Sequence, residues 1–249
     1  MNKYLLLLLL SLLLIHCKDD ETDNTSSLAT YNVGDFASNY LSDTRYTSLT
    51  IELAYVQDAK PNDVSIDNLK SFLEGLLNKP DGISFKETLI PNQGNSSISL
   101  SEVRAIEKNY RTIVNTGKNS TAFFFFADAN YDQDTQNSAT LGIAFNSSSM
   151  ALFQKTIQEN TGNIGQASTI EVEEGVLKHE FGHILGLVNL GTPMQSQHED
   201  QAHKKHCDVE SCLMYYATET SLFFGNILNS SIPNLDPKCM ADLKANGGK

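Results

Sequence analysis

The chain has 249 residues, with 18 basic and 30 acidic side chains and a net charge of −12. That surplus of negative charge argues against a nucleic-acid partner, whose phosphates attract basic surfaces. With 40% apolar and 19% charged residues, the composition fits a globular protein and excludes both a disordered chain and a multi-span membrane protein.

The N-terminus reads as an address. Lys3 precedes the apolar run Leu5–Ile15, too short for a permanent spanning helix but suited to a secretory signal over residues 1–16. The run ends at Cys17, with Leu14 three residues before it, and this resembles a bacterial lipobox, His16 standing where such motifs carry a small residue. The resemblance implies that Cys17 is lipidated and becomes the mature N-terminus. Lys18-Asp19-Asp20-Glu21 looks like the signal that sends some lipoproteins to the cell surface. The expectation is an exported cell-envelope protein, lipid-anchored at the outer membrane or cell surface. A plain secretory signal with an unrelated Cys is the alternative. Residues 17–46, rich in Ser, Thr, Asn and Asp, read as a polar tether to a domain over 47–249. Tyr31, Val33, Phe36 and Tyr40 offer a competing reading, an irregular first layer of that domain.

Within the domain, Ser48–Val56 alternates apolar and polar residues, the period of a half-buried strand. After a turn at Lys60-Pro61-Asn62-Asp63, Ile66, Leu69, Phe72, Leu73, Leu76 and Leu77 recur at helical spacing, with Ser65 as a candidate N-cap. Pro80-Asp81-Gly82 breaks that helix, and Ile83, Phe85 and Leu89 suggest a second strand. Ser99 and Glu102 form a capping-box pattern ahead of Val103, Ile106, Tyr110 and Ile113, one face of a second helix. Ala122–Phe126 reads as a buried central strand and Leu141–Phe145 as a fourth strand. Glu171–Val188 is a third helix, followed by a long irregular tail. The order predicts an α/β or α+β domain, a mixed sheet with helices against it.

Five of the six histidines fall between His179 and His206. His179-Glu180-Phe181-Gly182-His183 is a His-Glu-x-x-His motif. Positions i and i+4 share a helix face, so both imidazoles can hold one zinc ion, with Glu180 beside it as a general base. Gly186 follows three residues after His183. His-Glu-x-x-His-x-x-Gly resembles the opening of a metzincin metallopeptidase, in which the Gly ends the helix and the chain returns to offer a third ligand. The residue at the usual place is Asn189, a poor zinc ligand. His206-Cys207, Cys212 and Met214 together have the form His-Cys-x4-Cys-x-Met, which is similar to the archaemetzincin pattern at a longer distance from the Gly.

That resemblance implies a zincin fold whose helix with the metal-binding motif leads into a C-terminal subdomain with a Met-turn at Met214. It also implies His206 as third zinc ligand, His198 being the alternative and His203, Glu199 and Asp200 further candidates. Tyr216 is implied as a stabiliser of the developing oxyanion, a packed aromatic being the competing reading. Archaemetzincins hold a second, structural zinc. The matching positions here are Cys207, Cys212, Asp236 and Cys239, for which a disulfide with one free thiol is the alternative. The implied activity is zinc-dependent hydrolysis of peptide bonds in a peptide or protein substrate. A zinc hydrolase of non-peptide amides or esters, and a catalytically silent surface zinc-binding module, remain alternatives.

Overall fold

In the computed structural model, residues 31–227 and 231–249 are described; the signal segment and Cys17 lie outside them. Helix α1 (Ala37–Leu41) opens the fold and strand β1 (Ser48–Tyr55) follows. Then come α2 (Asp63–Leu76), β2 (Ile83–Leu89), the short β3 (Ser97–Ile98) and α3 (Leu100–Tyr110). Strand β4 (Asn119–Ala127) leads through β5 (Asn130–Tyr131) to the hairpin β6 (Gly142–Asn146) and β7 (Ser149–Phe153). Helices α4 (Gln154–Asn160), α5 (Thr169–Ile184), α6 (Leu222–Ile227) and α7 (Pro237–Ala245) complete it.

The main sheet has the order β2-β1-β4-β7-β6. Its first four strands are parallel, and β6 lies antiparallel to β7 at one edge. Strand β4 is central because Phe123, Phe124, Phe125 and Phe126 are apolar on both faces, and all four are buried. Each such ring stabilises the fold by about 1.5–3 kcal/mol through the area it removes from water. Phe124 meets Phe181 of α5 edge-on at a centroid separation of 5.8 Å, so the central strand directly supports that helix.

Several boundaries differ from the sequence reading. Residues 33–46 belong to the folded unit, not to a tether. Phe36, Tyr40, Leu41 and Tyr46 are buried, and the Tyr40 hydroxyl donates to the Thr121 carbonyl at 2.7 Å. Lys79 fixes the same segment, its ammonium donating to the carbonyls of Asn39, Ser42 and Tyr46 at 2.8, 2.5 and 2.7 Å. Ser65 does not cap α2. Asn62 does, accepting from the Val64 amide, while Ser65 is buried and donates to the Ile170 carbonyl. The Ser99–Glu102 capping box is present, but α3 ends at Tyr110 and leaves Ile113 beyond it. Strand β7 and helix α4 are additions to the expected order, and α6 and α7 make the C-terminal tail less irregular than its composition suggests.

The β6–β7 hairpin is held by a buried polar network. Glu107 of α3 accepts from Asn146 at 2.8 Å and from Arg111 at 2.9 Å, and Arg111 reaches the Ser148 hydroxyl at 2.9 Å. Arg104 donates to the Phe145 carbonyl. A fully partnered network of this kind fixes the edge strand beside α5 rather than merely burying it.

Candidate metal centre

Helix α5 is buried almost throughout, which is why its apolar residues surround the motif instead of forming a stripe. His179 and His183 lie one turn apart on it, with their Nε2 atoms 3.1 Å from each other and their ring centroids 4.7 Å apart. The helix stops at Ile184, and Gly186 turns the chain with φ +75, a conformation that disfavours side chains. The return passes under the N-terminal segment, where Gly34 abuts the Leu190 carbonyl too closely for any Cβ.

The returning chain brings His206 to the pair. Its ring centroid lies 5.4 Å from that of His179 and 5.1 Å from that of His183. Two of the rings are oriented by their other nitrogens: His179 Nδ1 meets the Leu213 carbonyl at 2.7 Å, and His206 Nδ1 meets that of Lys204 at 3.1 Å. A ring that donates through Nδ1 presents Nε2 as a lone pair. Burial pushes the His183 pKa down to about 4, so this ring is neutral at pH 7, the form a metal ligand requires.

A fourth group, missed in the sequence, joins them. Glu219 closes a 3-10 turn over Tyr216–Glu219, and its carboxylate lies 3.7, 3.8 and 3.2 Å from the Nε2 atoms of His179, His183 and His206. The four donor atoms lie within 4.8 Å of one another. A tetrahedral zinc with ligands at ~2.0–2.1 Å needs donors about 3.3 Å apart, so this donor set fits zinc.

Glu180 follows at the next position along α5, its side chain packed against Gly142 of β6. It is fully buried, and neither carboxylate oxygen makes a well-formed hydrogen bond among the described residues. Burial, then the nearby charge of Glu219, pushes its pKa well above the usual carboxylate range, while the Ala144 amide of β6 offsets part of that rise.

Met214 packs under the motif. Its sulfur rests so close to Gly182 that a Cβ there would stand 2.3 Å away. The Tyr216 ring stacks on His203 at 3.5 Å between centroids. His203 is also hydrogen-bonded to Asp200. Glu199 accepts from the Lys205 amide and does not enter the histidine cluster.

His198 goes elsewhere. An isolated bridge between Glu199 and Cys207 folds its loop back, placing His198 Nδ1 3.4 Å from Cys207 Sγ and 3.9 Å from Cys239 Sγ. Cys212 Sγ lies 3.7 Å from Cys239 Sγ, and all three cysteines are buried free thiols. Zinc–thiolate bonds of ~2.3 Å imply sulfur atoms about 3.8 Å apart, so these spacings suit a second ion. The Cys207 thiol is pushed down by hydrogen bonds from Cys212, Cys239 and His198, which favours one thiolate in the group before any ion arrives. Asp236 is a member of this cluster, and its Oδ1 also accepts the Cys239 amide at 2.8 Å as N-cap of α7. His198, Cys207, Asp236 and Cys239 each offer a donor atom within 4.8 Å of the others, so His198 joins the positions that the sequence offers, with Cys212 beside Cys239.

Among solved structures, the chain is similar to an archaemetzincin from Methanopyrus kandleri, with a TM-score of 0.52 and 15% identity over 80% of this chain and 96% of that one. The fold is archaemetzincin-like. A metalloproteinase-II from Bacteroides fragilis is more distant, with a TM-score of 0.44 and 15% identity over 83% of this chain and 56% of that one. No family model and no curated protein matches the sequence.

Across this fold the two donor clusters flank Met214. The histidine cluster lies beside edge strand β6, where Glu180 and Ala144 meet. The cysteine cluster ties the returning loop to α7.

Proposed function

We propose that the protein is a zinc-dependent metallopeptidase of archaemetzincin type, exported and anchored to the membrane through Cys17. The observation that carries the hydrolytic reading is the convergence of three imidazoles on one point, with the buried Glu180 next to His179 on the same helix and within the electrostatic reach of Glu219.

Zinc bound there supplies a Lewis acid that polarises a carbonyl and makes water more acidic. His179, His183 and His206 hold it, the Leu213 and Lys204 carbonyls keeping two of the rings in register. Glu180 takes a proton from the attacking water at its carboxylate and delivers it to the leaving amine. Its sparse hydrogen bonding suits that role, because the carboxylate has little beyond the Ala144 amide to give up. Strand β6 would pair with an extended substrate main chain, which favours peptides over small esters or amides. A second, structural zinc would be held by Cys207, Cys239 and His198, with Cys212 or Asp236 as the fourth ligand.

Purified full-length protein incubated with a diverse peptide library, with and without chelator, tests this reading. Chelator-sensitive cleavage is expected; bound zinc with no cleavage under any condition would favour the silent binding module. Anchoring rests on the sequence alone, since no helix among the described residues is long and apolar enough to cross a membrane. Wild type should partition with membranes and Cys17→Ser should not; a fully soluble wild type would show that the anchor is absent.

A further inference from the structure

We propose that Glu219 is a fourth protein ligand that closes the metal position in the resting protein, and that substrate enters by displacing this carboxylate. The proposal rests on the metallopeptidase reading above and concerns access to the same site.

The first argument is donor chemistry. His179 and His206 each have Nδ1 against a backbone carbonyl, so in the neutral rings both Nε2 atoms are acceptors. The Glu219 carboxylate, also an acceptor, faces both at 3.7 and 3.2 Å. Lone pairs turned towards one another at that range repel, unless a cation lies between them. The separations bracket the edge of a zinc tetrahedron, about 3.3 Å.

The second argument is position. The side chains of His179, His183 and His206 are 0%, 7% and 11% exposed, whereas that of Glu219 is 28% exposed. Glu219 is thus the most exposed member of the cluster and the one an incoming carbonyl can most readily displace. Catalytic zinc sites keep one position open, and four protein ligands make a closed site. Opening here needs only a side-chain rotation. The Glu219 backbone is held beside the start of β6, its carbonyl accepting the Leu141 amide at 2.8 Å. The carboxylate has no such tether beyond the imidazoles among the described residues.

If the closed form outnumbers the open by about nine to one, a ligand needing the open position binds roughly tenfold more weakly than to an open site. Acetohydroxamate, a small zinc chelate former, serves as the probe. Its affinity for the zinc-loaded full-length protein is read by calorimetry for wild type, Glu219→Ala and Glu219→Asp. The Asp variant keeps the charge but is one methylene shorter. Both variants should bind the probe about tenfold or more tightly than wild type, and both should release the histidine-site zinc to a chelator more readily. Equal probe affinity in wild type and Glu219→Ala, with zinc retained, overturns the closure and leaves the metallopeptidase reading standing. An Asp variant indistinguishable from wild type would also overturn it, since charge alone would then explain the Ala result. A wild type that takes up no zinc at the histidines overturns both.

Discussion

His198 Nε2 and Asp242 Oδ2 meet at 2.7 Å, with both side chains buried, behind the imidazole whose Nδ1 faces the cysteines. The carboxylate orients the ring and makes its inner nitrogen a better donor. Asp242 also accepts the Gln195 amide at 2.6 Å through its other oxygen, so one residue of α7 anchors both the imidazole and the loop that carries it.

Replacing that carboxylate should therefore weaken the second ion without touching the first. Asp242→Asn is expected to lower zinc affinity at the cysteine cluster by about 10–100-fold, read by competition with a graded chelator and by counting ions per chain. Retention of both ions at wild-type chelator concentrations would show that His198 is not a ligand.

Glu180→Gln should abolish hydrolysis and leave the zinc bound, because the amide keeps the shape but accepts no proton. It should also stabilise the metal-free protein. The Glu180 pKa is raised in the folded state, so the wild type's stability from this group is fully present below about 4.5 and is lost as pH rises through the raised value. Gln avoids that loss. Denaturant unfolding should show the variant more stable by about 1–3 kcal/mol at pH 8, the difference shrinking towards pH 4.5. A pH-independent difference would mean that the carboxylate is not desolvated as described.

The parts of the fold legible in the sequence are those with local signals. Ser99 and Glu102 announce a helix start, and His179-Glu180 with His183 announces a helix face. Strand β7 escaped because Ser149–Phe153 is buried on both faces and runs directly into α4, leaving neither alternation nor a turn to mark it. The packing of residues 33–46 was hidden because a few aromatics are scattered among polar residues. Their burial depends on Lys79 and Thr121, far along the chain. Glu219 carried no spacing signal at all. It reaches the histidines through a 3-10 turn whose direction is set by tertiary contacts, and one acidic residue in a tail is unremarkable in a chain with 30 of them.

Gly182 and Gly75 form a contrasting pair. Both lie in helices, but a Cβ at Gly182 meets the Met214 sulfur at 2.3 Å, whereas one at Gly75 meets nothing within 4 Å. Gly182→Ala should destabilise by about 1–3 kcal/mol through overpacking and lower zinc retention at the adjacent histidines. Gly75→Ala should stabilise by about 0.5–1 kcal/mol. Thermal unfolding of the two variants checks the pair, and equal shifts would show that Met214 has room to yield.

The sharpest division lies between His206 and His198, which the sequence leaves as competitors for one ion. The structure assigns them to different neighbourhoods: His206 stands 5.1 Å from the His183 ring, while His198 sits among sulfur atoms with Asp242 behind it. His206→Ala should therefore cost the histidine-site ion and activity together, as should His183→Ala, while the cysteine-site ion stays. His198→Ala should do the reverse, losing the second ion. Stability should fall with it, because binding free energy at a buried structural site is shared with folding. The Cys207 loop and α7 are the elements expected to loosen, and hydrogen exchange at their amides would report it. Loss of the same single ion in both variants would place the two histidines at one centre and overturn the division.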